Sequence, residues 1–85
     1  MLVYKIDVLE ELKKAGITQT KVRNTGIFSQ STMKKFKDNN TNISLDSLNT
    51  LCCVLEMQPR DIIKYVETVN DNVNILNKLV DKHEN

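Results

Sequence analysis

The chain has 85 residues, a formal net charge of +1, few aromatic side chains and no tryptophan. A chain of this length forms one small domain, near the lower limit of what folds alone, and its core must be mainly aliphatic. No apolar run approaches the roughly 20 residues needed to span a bilayer, and the N-terminus lacks the long apolar stretch of a secretory signal, so we expect a cytoplasmic protein.

Charge is distributed unevenly along the chain. Residues 1–43 carry eight basic and four acidic side chains, whereas residues 44–85 carry four basic and seven acidic ones. No acidic residue occurs between Glu11 and Asp38, and the basic residues in that interval are Lys13, Lys14, Lys21, Arg23, Lys34, Lys35 and Lys37. A one-sided basic block indicates a surface that binds a polyanion, although a merely solvated helix face is the alternative.

Three short helices are predicted in the first half. Ile6, Leu9 and Leu12 mark the first, from about residue 4 to residue 14, and Ala15-Gly16 ends it. No strand pattern is recognised here or elsewhere, so the predicted fold class is all-α.

The second and third helices are predicted to begin at hydroxyl side chains. Thr18 caps a helix to about residue 24 with Val22 facing inward, and Ser29 caps a helix to about residue 37. The inward residues of the third helix are Met33 and Phe36. A short helix, a connection containing glycine and a second helix with a polar start together predict a helix-turn-helix.

The second half is predicted to contain two further helices. The polar run 38–42 reads as a loop. Ser44 then caps a helix from Leu45 to about Glu56, and Pro59 suits the first turn of a fifth helix. The predicted apolar stripe of the fourth helix consists of Leu45, Leu48, Leu51, Cys52 and Leu55.

The C-terminal part carries a further apolar repeat. Ile62, Val66, Val69, Val73, Leu76 and Val80 follow one another at intervals of 4, 3, 4, 3 and 4 residues. This heptad spacing predicts self-association of a helical segment, and a helix folded back over its own domain is the alternative. We therefore divide the chain into a domain of residues 1–66 and a C-terminal helical extension of residues 67–85, with Val66, Val69, Val73, Leu76 and Val80 as the dimerisation residues.

The side chains needed for catalysis or metal binding are scarce. His83 is the single histidine, and the two glycines are too few for a phosphate-binding loop, so we expect no enzyme activity. Cys52 and Cys53 are adjacent on a predicted helix and lack metal-ligand spacing, so we expect free thiols, with Cys52 more buried, and neither a metal nor a cofactor.

The start of the third helix suits base recognition. Gln30 and Ser31 stand at its entrance and Lys34 follows one turn later, so these three are the predicted base-contacting residues. Flanking polar and basic residues are predicted to contact phosphates: Thr18, Gln19, Lys21, Thr32, Lys35 and Lys37.

Several spaced residues together resemble a known family. They are Thr18-Gln19-x-x-Val22, Ser29-x-x-x-Met33, Ile43-Ser44-Leu45-x-x-Leu48-x-x-Leu51-Cys52-x-x-Leu55 and Gln58-Pro59-x-Asp61-Ile62-Ile63. This pattern, over roughly residues 4–66, is similar to the Cro and lambda-repressor-type (XRE-like) helix-turn-helix regulators. The resemblance implies five helices with the third in the major groove, a phosphate contact by Gln19, and base contacts by Gln30 and Ser31.

The basic block, the predicted helix-turn-helix and the resemblance lead to one functional hypothesis. We expect sequence-specific binding of double-stranded DNA by a homodimeric transcriptional regulator, acting as a repressor. The alternative is a protein-interaction module on the same scaffold, such as an antitoxin or an inhibitor that docks on a partner through its C-terminal helix.

Overall fold

The computed structural model describes residues 1–79. Its elements are β1 (Leu2–Tyr4), α1 (Val8–Lys14), α2 (Gln19–Thr25), α3 (Gln30–Lys37), α4 (Leu45–Leu55), α5 (Pro59–Ile62), β2 (Ile63–Tyr65) and α6 (Val69–Asp71). A π-helical turn at Asn72–Leu76 continues α6, and residues 77–79 are again helical. The described part is mostly helical, as predicted, with a small two-stranded sheet. The predicted roles of Val80 and His83 lie outside the described residues.

Local capping explains where three helices begin. Thr18, Ser29 and Ser44 have extended backbones, and each hydroxyl oxygen accepts a hydrogen bond from the backbone N–H three residues later, at 3.2, 3.1 and 3.0 Å. These bonds satisfy donors that have no partner within the helix. The predicted starts of α2, α3 and α4 are therefore confirmed.

We expect Ser29→Ala to lower the free energy of unfolding by about 1 kcal/mol, because the first turn of α3 loses its cap. Chemical denaturation followed by circular dichroism measures this difference. Thr20→Ala is the matched control, since it removes an exposed hydroxyl from the helix surface without removing a cap. A Ser29→Ala variant as stable as the wild type would show that the Ser29 cap contributes nothing.

The core gathers side chains from α1 to α5 and from the connection between α2 and α3. Its fully buried members are Val8, Leu12, Val22, Phe28, Phe36, Leu51 and Ile62. The predicted inward positions of Leu12, Val22, Phe36 and Leu51 are confirmed. The prediction that Leu45 belongs to the apolar stripe of the fourth helix is wrong, because this side chain is 82% exposed. It occupies the first turn of α4, where it lines a groove shared with Pro59.

The sheet is a second correction, because no strand was predicted. β1 pairs antiparallel with β2, so that Leu2 lies opposite Tyr65 and Tyr4 opposite Ile63. As a result α1 begins only at Val8, capped by Asp7, and α5 ends at Ile62. Strands of three residues are too short to show a periodic pattern, and their pairing joins segments about 60 residues apart in the chain.

β1 also holds the loop that follows α3. The Tyr4 hydroxyl donates to the Asn40 carbonyl at 2.8 Å, and the Thr41 hydroxyl donates to the Leu2 carbonyl at 3.1 Å. Burial raises the pKa of Tyr4, so its hydroxyl stays protonated and able to donate over a wider pH range. These two hydrogen bonds thus fix the position of the loop after α3 relative to the sheet.

The C-terminal segment projects from the domain instead of folding back over it. Val69, Val73 and Leu76 are 77%, 52% and 52% exposed, and the longest dimension is 54 Å. The radius of gyration is 16.2 Å, whereas a compact chain of this length has about 12 Å. Among the residues described, no helix is long and apolar enough to cross a membrane.

The predicted heptad repeat is wrong at its beginning. Ile62 is buried in the core, and β2 separates it from the C-terminal helix. Val66 lies between β2 and α6, so it is not on that helix either. Only the apolar residues from Val69 onward share a helical segment.

Polar contacts attach the start of this segment to the sheet. The Met1 amine donates to the Val66 carbonyl at 2.7 Å and forms an ion pair with the Asp71 carboxylate. The hydrogen bond from this amine is the main cause that lowers the pKa of Asp71. The orientation of α6 relative to β1 is therefore set by charge as well as by chain connectivity.

Candidate nucleic-acid interface

The connection between α2 and α3 is a tight turn anchored in the core. Gly26 ends α2 with a φ of 67°, a left-handed conformation that favours glycine, and its N–H donates to the Val22 carbonyl at 2.8 Å. Phe28 then packs edge-to-face on Phe36 of α3, with ring centroids 5.1 Å apart. The turn and the first residues of α3 are thereby held in one arrangement.

A groove lies where α1, α2 and α3 meet, and we call it the α3 groove. Its lining residues are Leu9, Gln19, Gln30, Met33, Lys34, Lys37 and Asp38. Leu9 and Met33 are half-buried, whereas the polar and charged members are exposed. The structure therefore brings together four predicted site residues, Gln19, Gln30, Lys34 and Lys37.

Helical spacing explains the polar wall of this groove. Gln30, Lys34 and Lys37 are separated by four and three residues, so they lie along one face of α3. Gln19 is the first residue of α2 and reaches the groove from the other helix. The arrangement presents amide groups and two ammonium groups on one exposed surface.

Ser31 and Thr32 lie beside this face and take part in the start of α3. The Ser29 hydroxyl is 3.0 Å from the Ser31 hydroxyl and donates to the Thr32 hydroxyl at 2.9 Å. Ser31 is exposed, whereas Thr32 is half-buried. Neither residue lines the α3 groove, so a ligand in that groove would meet them only at its edge.

The remaining predicted phosphate contacts differ in their surroundings. Thr18 and Lys21 are exposed at the start of α2. Lys35 is half-buried, and its ammonium donates to the Asn42 carbonyl at 2.8 Å. Lys35 therefore also ties α3 to the following loop.

Asp38 is a groove residue that the sequence reasoning missed. Its carboxylate oxygen Oδ2 lies 3.8 Å from the Lys34 ammonium, within the α3 groove. The spacing of four residues between Lys34 and Asp38 could have predicted that the two side chains lie close together. An acidic group thus shares the surface with the basic residues.

The two thiols lie on α4. Cys52 is half-buried and Cys53 exposed, and both are free, as predicted. In the part of the chain that the structure describes, no three histidine, cysteine, aspartate or glutamate side chains are placed to hold a metal ion.

The anchored turn, the capped α3 and the exposed polar groove define a helix-turn-helix domain. Residues 7–68 match the Cro/C1-type HTH DNA-binding domain. Because the match spans more than half of the chain, this protein belongs to the Cro/C1-type helix-turn-helix family, as its motifs indicated, and its domain is of a DNA-binding class. Neither the curated proteins nor the solved structures contain a significant match. The matched region includes α1 to α5 and β2 but excludes β1 and most of the C-terminal segment.

Proposed function

We propose that this protein is a transcriptional repressor that binds a specific double-stranded DNA sequence as a homodimer. The observation that carries the proposal is the α3 groove, where Gln19, Gln30, Lys34 and Lys37 share one exposed surface. A surface that joins amide donors and acceptors with ammonium groups suits a ligand that combines base edges with phosphates.

The proposed base-contacting residues are Gln30, Ser31 and Lys34. α3 has eight residues, which corresponds to about 12 Å of helix, and a helix with its side chains is about 10–12 Å across, which fits a major groove about 12 Å wide. A glutamine amide pairs with adenine through two hydrogen bonds, and a lysine ammonium reaches the O6 and N7 acceptors of guanine. The position of Gln30 and Lys34 on one face supports simultaneous contact with neighbouring base pairs.

The proposed phosphate-contacting residues surround that face. They are Thr18, Gln19, Lys21, Thr32, Lys35 and Lys37. Gln19 and Lys21 lie on α2, which would cross the DNA backbone when α3 enters the groove. Because each neutralised phosphate releases counterions, affinity should fall steeply as salt rises.

Selection from a randomised duplex pool tests the proposal. The protein is incubated with the pool at low and then near-physiological salt, and the retained duplexes are sequenced. Enrichment of an inverted repeat is the expected result. Binding that disappears with salt and enriches no sequence would contradict sequence-specific recognition.

The homodimer is proposed from the exposed apolar surface of the C-terminal segment. We keep the division into a DNA-binding domain of residues 1–66 and a dimerisation segment of residues 67–85. The proposed contact residues are Val66, Val69, Val73, Leu76 and Val80, of which the first four are exposed and the last lies outside the described residues. Leu2 and Tyr65, which pair with each other in the sheet, are also exposed. Exposed apolar side chains that recur along one helical segment are typical of a protein contact.

We expect Leu76→Asp to convert the dimer into a monomer, because dimerisation would bury an unpaired carboxylate. Sedimentation velocity measures the change, and operator affinity should fall at least about tenfold as one of two half-sites is lost. Asn74→Asp is the control, since it adds the same charge at an exposed position outside the proposed contact. A dimeric Leu76→Asp variant, or a monomeric wild-type protein, would contradict the assignment.

The same apolar surface supports a second candidate function. A protein partner could cover Val69, Val73 and Leu76, as in an antitoxin or an inhibitor built on a helix-turn-helix scaffold. A wild-type protein that is monomeric and enriches no duplex would favour this candidate over the repressor.

A further inference from the structure

A carboxylate lies within the surface that we propose for DNA. Asp38 is the residue at the C-terminal end of α3, and it lines the α3 groove together with Gln30, Lys34 and Lys37. Its side chain is exposed, and its oxygen Oδ2 is 3.8 Å from the Lys34 ammonium. A negative charge at this place opposes the binding of any phosphate nearby.

Helix stability does not account for this carboxylate. The C-terminal end of a helix carries a partial negative charge, so an acidic side chain there is unfavourable. The pair also has the basic residue first and the acidic residue four positions later, which is the weaker of the two orders. An exposed pair of this kind contributes little to folding.

We propose that Asp38 is a positioning residue for Lys34 that reduces binding to non-specific DNA. The lysine ammonium is a point charge on a flexible side chain, and it can pair with any phosphate within reach. The Asp38 carboxylate competes with phosphates for the Lys34 ammonium and keeps it over the groove, beside Gln30. A phosphate that approaches Lys34 is also repelled by the Asp38 carboxylate, whereas a base edge with acceptors at that place is neutral and escapes this repulsion. The preference for base edges over phosphates makes the affinity depend on the sequence, which is specificity. The inference rests on the proposed DNA recognition by α3.

Asp38→Asn tests this role directly, because it removes the charge and keeps the shape. The two probes are the duplex most enriched in the selection above and a shuffled duplex of the same length and composition. We expect Asp38→Asn to bind the shuffled duplex several-fold more tightly than wild type. Its salt dependence should steepen by about 0.9 in log–log slope, which corresponds to one additional phosphate contact. The affinity for the enriched duplex divided by the affinity for the shuffled duplex should therefore fall.

Glu56→Gln is the matched control for net charge. Glu56 is an exposed residue at the end of α4, outside the α3 groove, and its change removes the same formal charge. If Glu56→Gln and Asp38→Asn raise non-specific affinity equally, only the net charge matters and the inference is overturned.

A double-mutant cycle shows whether Asp38 acts through Lys34. In a Lys34→Gln background, the effect of Asp38→Asn on non-specific affinity should be clearly smaller than in wild type, because no ammonium remains to be released and only the direct repulsion between Asp38 and phosphates is relieved. An undiminished effect of Asp38→Asn in that background would overturn the positioning role. If wild type enriches a duplex but Asp38→Asn keeps its full preference, this inference alone fails. If wild type enriches none, the proposed function fails with it.

Discussion

Phe36→Ala should lower the free energy of unfolding by about 3–5 kcal/mol, the range for a buried phenylalanine replaced by alanine. Phe36 is 2% exposed and meets Phe28 and Tyr4 edge-to-face, with ring centroids 5.1 and 6.4 Å away. Small domains have only about 5–15 kcal/mol of stability in total. The variant should therefore be partly unfolded at ambient temperature, and DNA binding should be lost with the fold.

Urea denaturation followed by far-ultraviolet circular dichroism measures this loss, since the chain has no tryptophan for fluorescence. Phe36→Leu serves as the comparison, because it keeps most of the apolar volume and should cost clearly less. A loss below about 1 kcal/mol for Phe36→Ala would mean that the contact between α3 and the connection before it is not part of a tightly packed core.

Gln30→Ala should relax base preference at one position of the binding site. A bidentate pair between a side chain and a base contributes about 1–3 kcal/mol of discrimination, so preference there should fall by roughly 5- to 150-fold. Repeating the duplex selection with the variant measures the preference at each position. The remaining positions should keep theirs, because Gln30 reaches only the base pairs beside the start of α3.

Lys21→Ala provides the contrast for a phosphate contact. Lys21 is exposed on α2 and lies outside the α3 groove, so its loss should weaken all duplexes alike and make the salt dependence shallower by about 0.9 in log–log slope. If both variants change affinity uniformly across sequences, the assignment of Gln30 to base recognition is wrong.

Part of the candidate site could be predicted from the sequence and part could not. The common face of Gln30 and Lys34 follows from helical periodicity, which depends only on positions along α3. The approach of Gln19 from α2 depends on the turn at Gly26 and on how Phe28 packs, and the resemblance to known regulators predicted only a phosphate contact for Gln19. The place of Asp38 in the groove depends on how α3 packs against α1 and α2, which the sequence pattern does not show.

The starts of α2, α3 and α4 were determined by the sequence itself. A cap joins a hydroxyl to an N–H only three residues away, so Thr18, Ser29 and Ser44 act through contacts that the local chain already contains. The same locality explains why Val22 and Phe36 were correctly placed in the core, since each faces inward on a short amphipathic helix.

Tertiary structure decided the elements at the ends of the domain and the exposure of two apolar regions. A strand of three residues is stable only when a second strand supplies hydrogen bonds, and β1 finds that partner in β2, about 60 residues later in the chain. Leu45, Val69, Val73 and Leu76 have the pattern of core positions, yet they stay exposed because no other element among residues 1–79 lies over them. Local pattern shows that a face is apolar, but what covers it depends on contacts between distant parts of the chain.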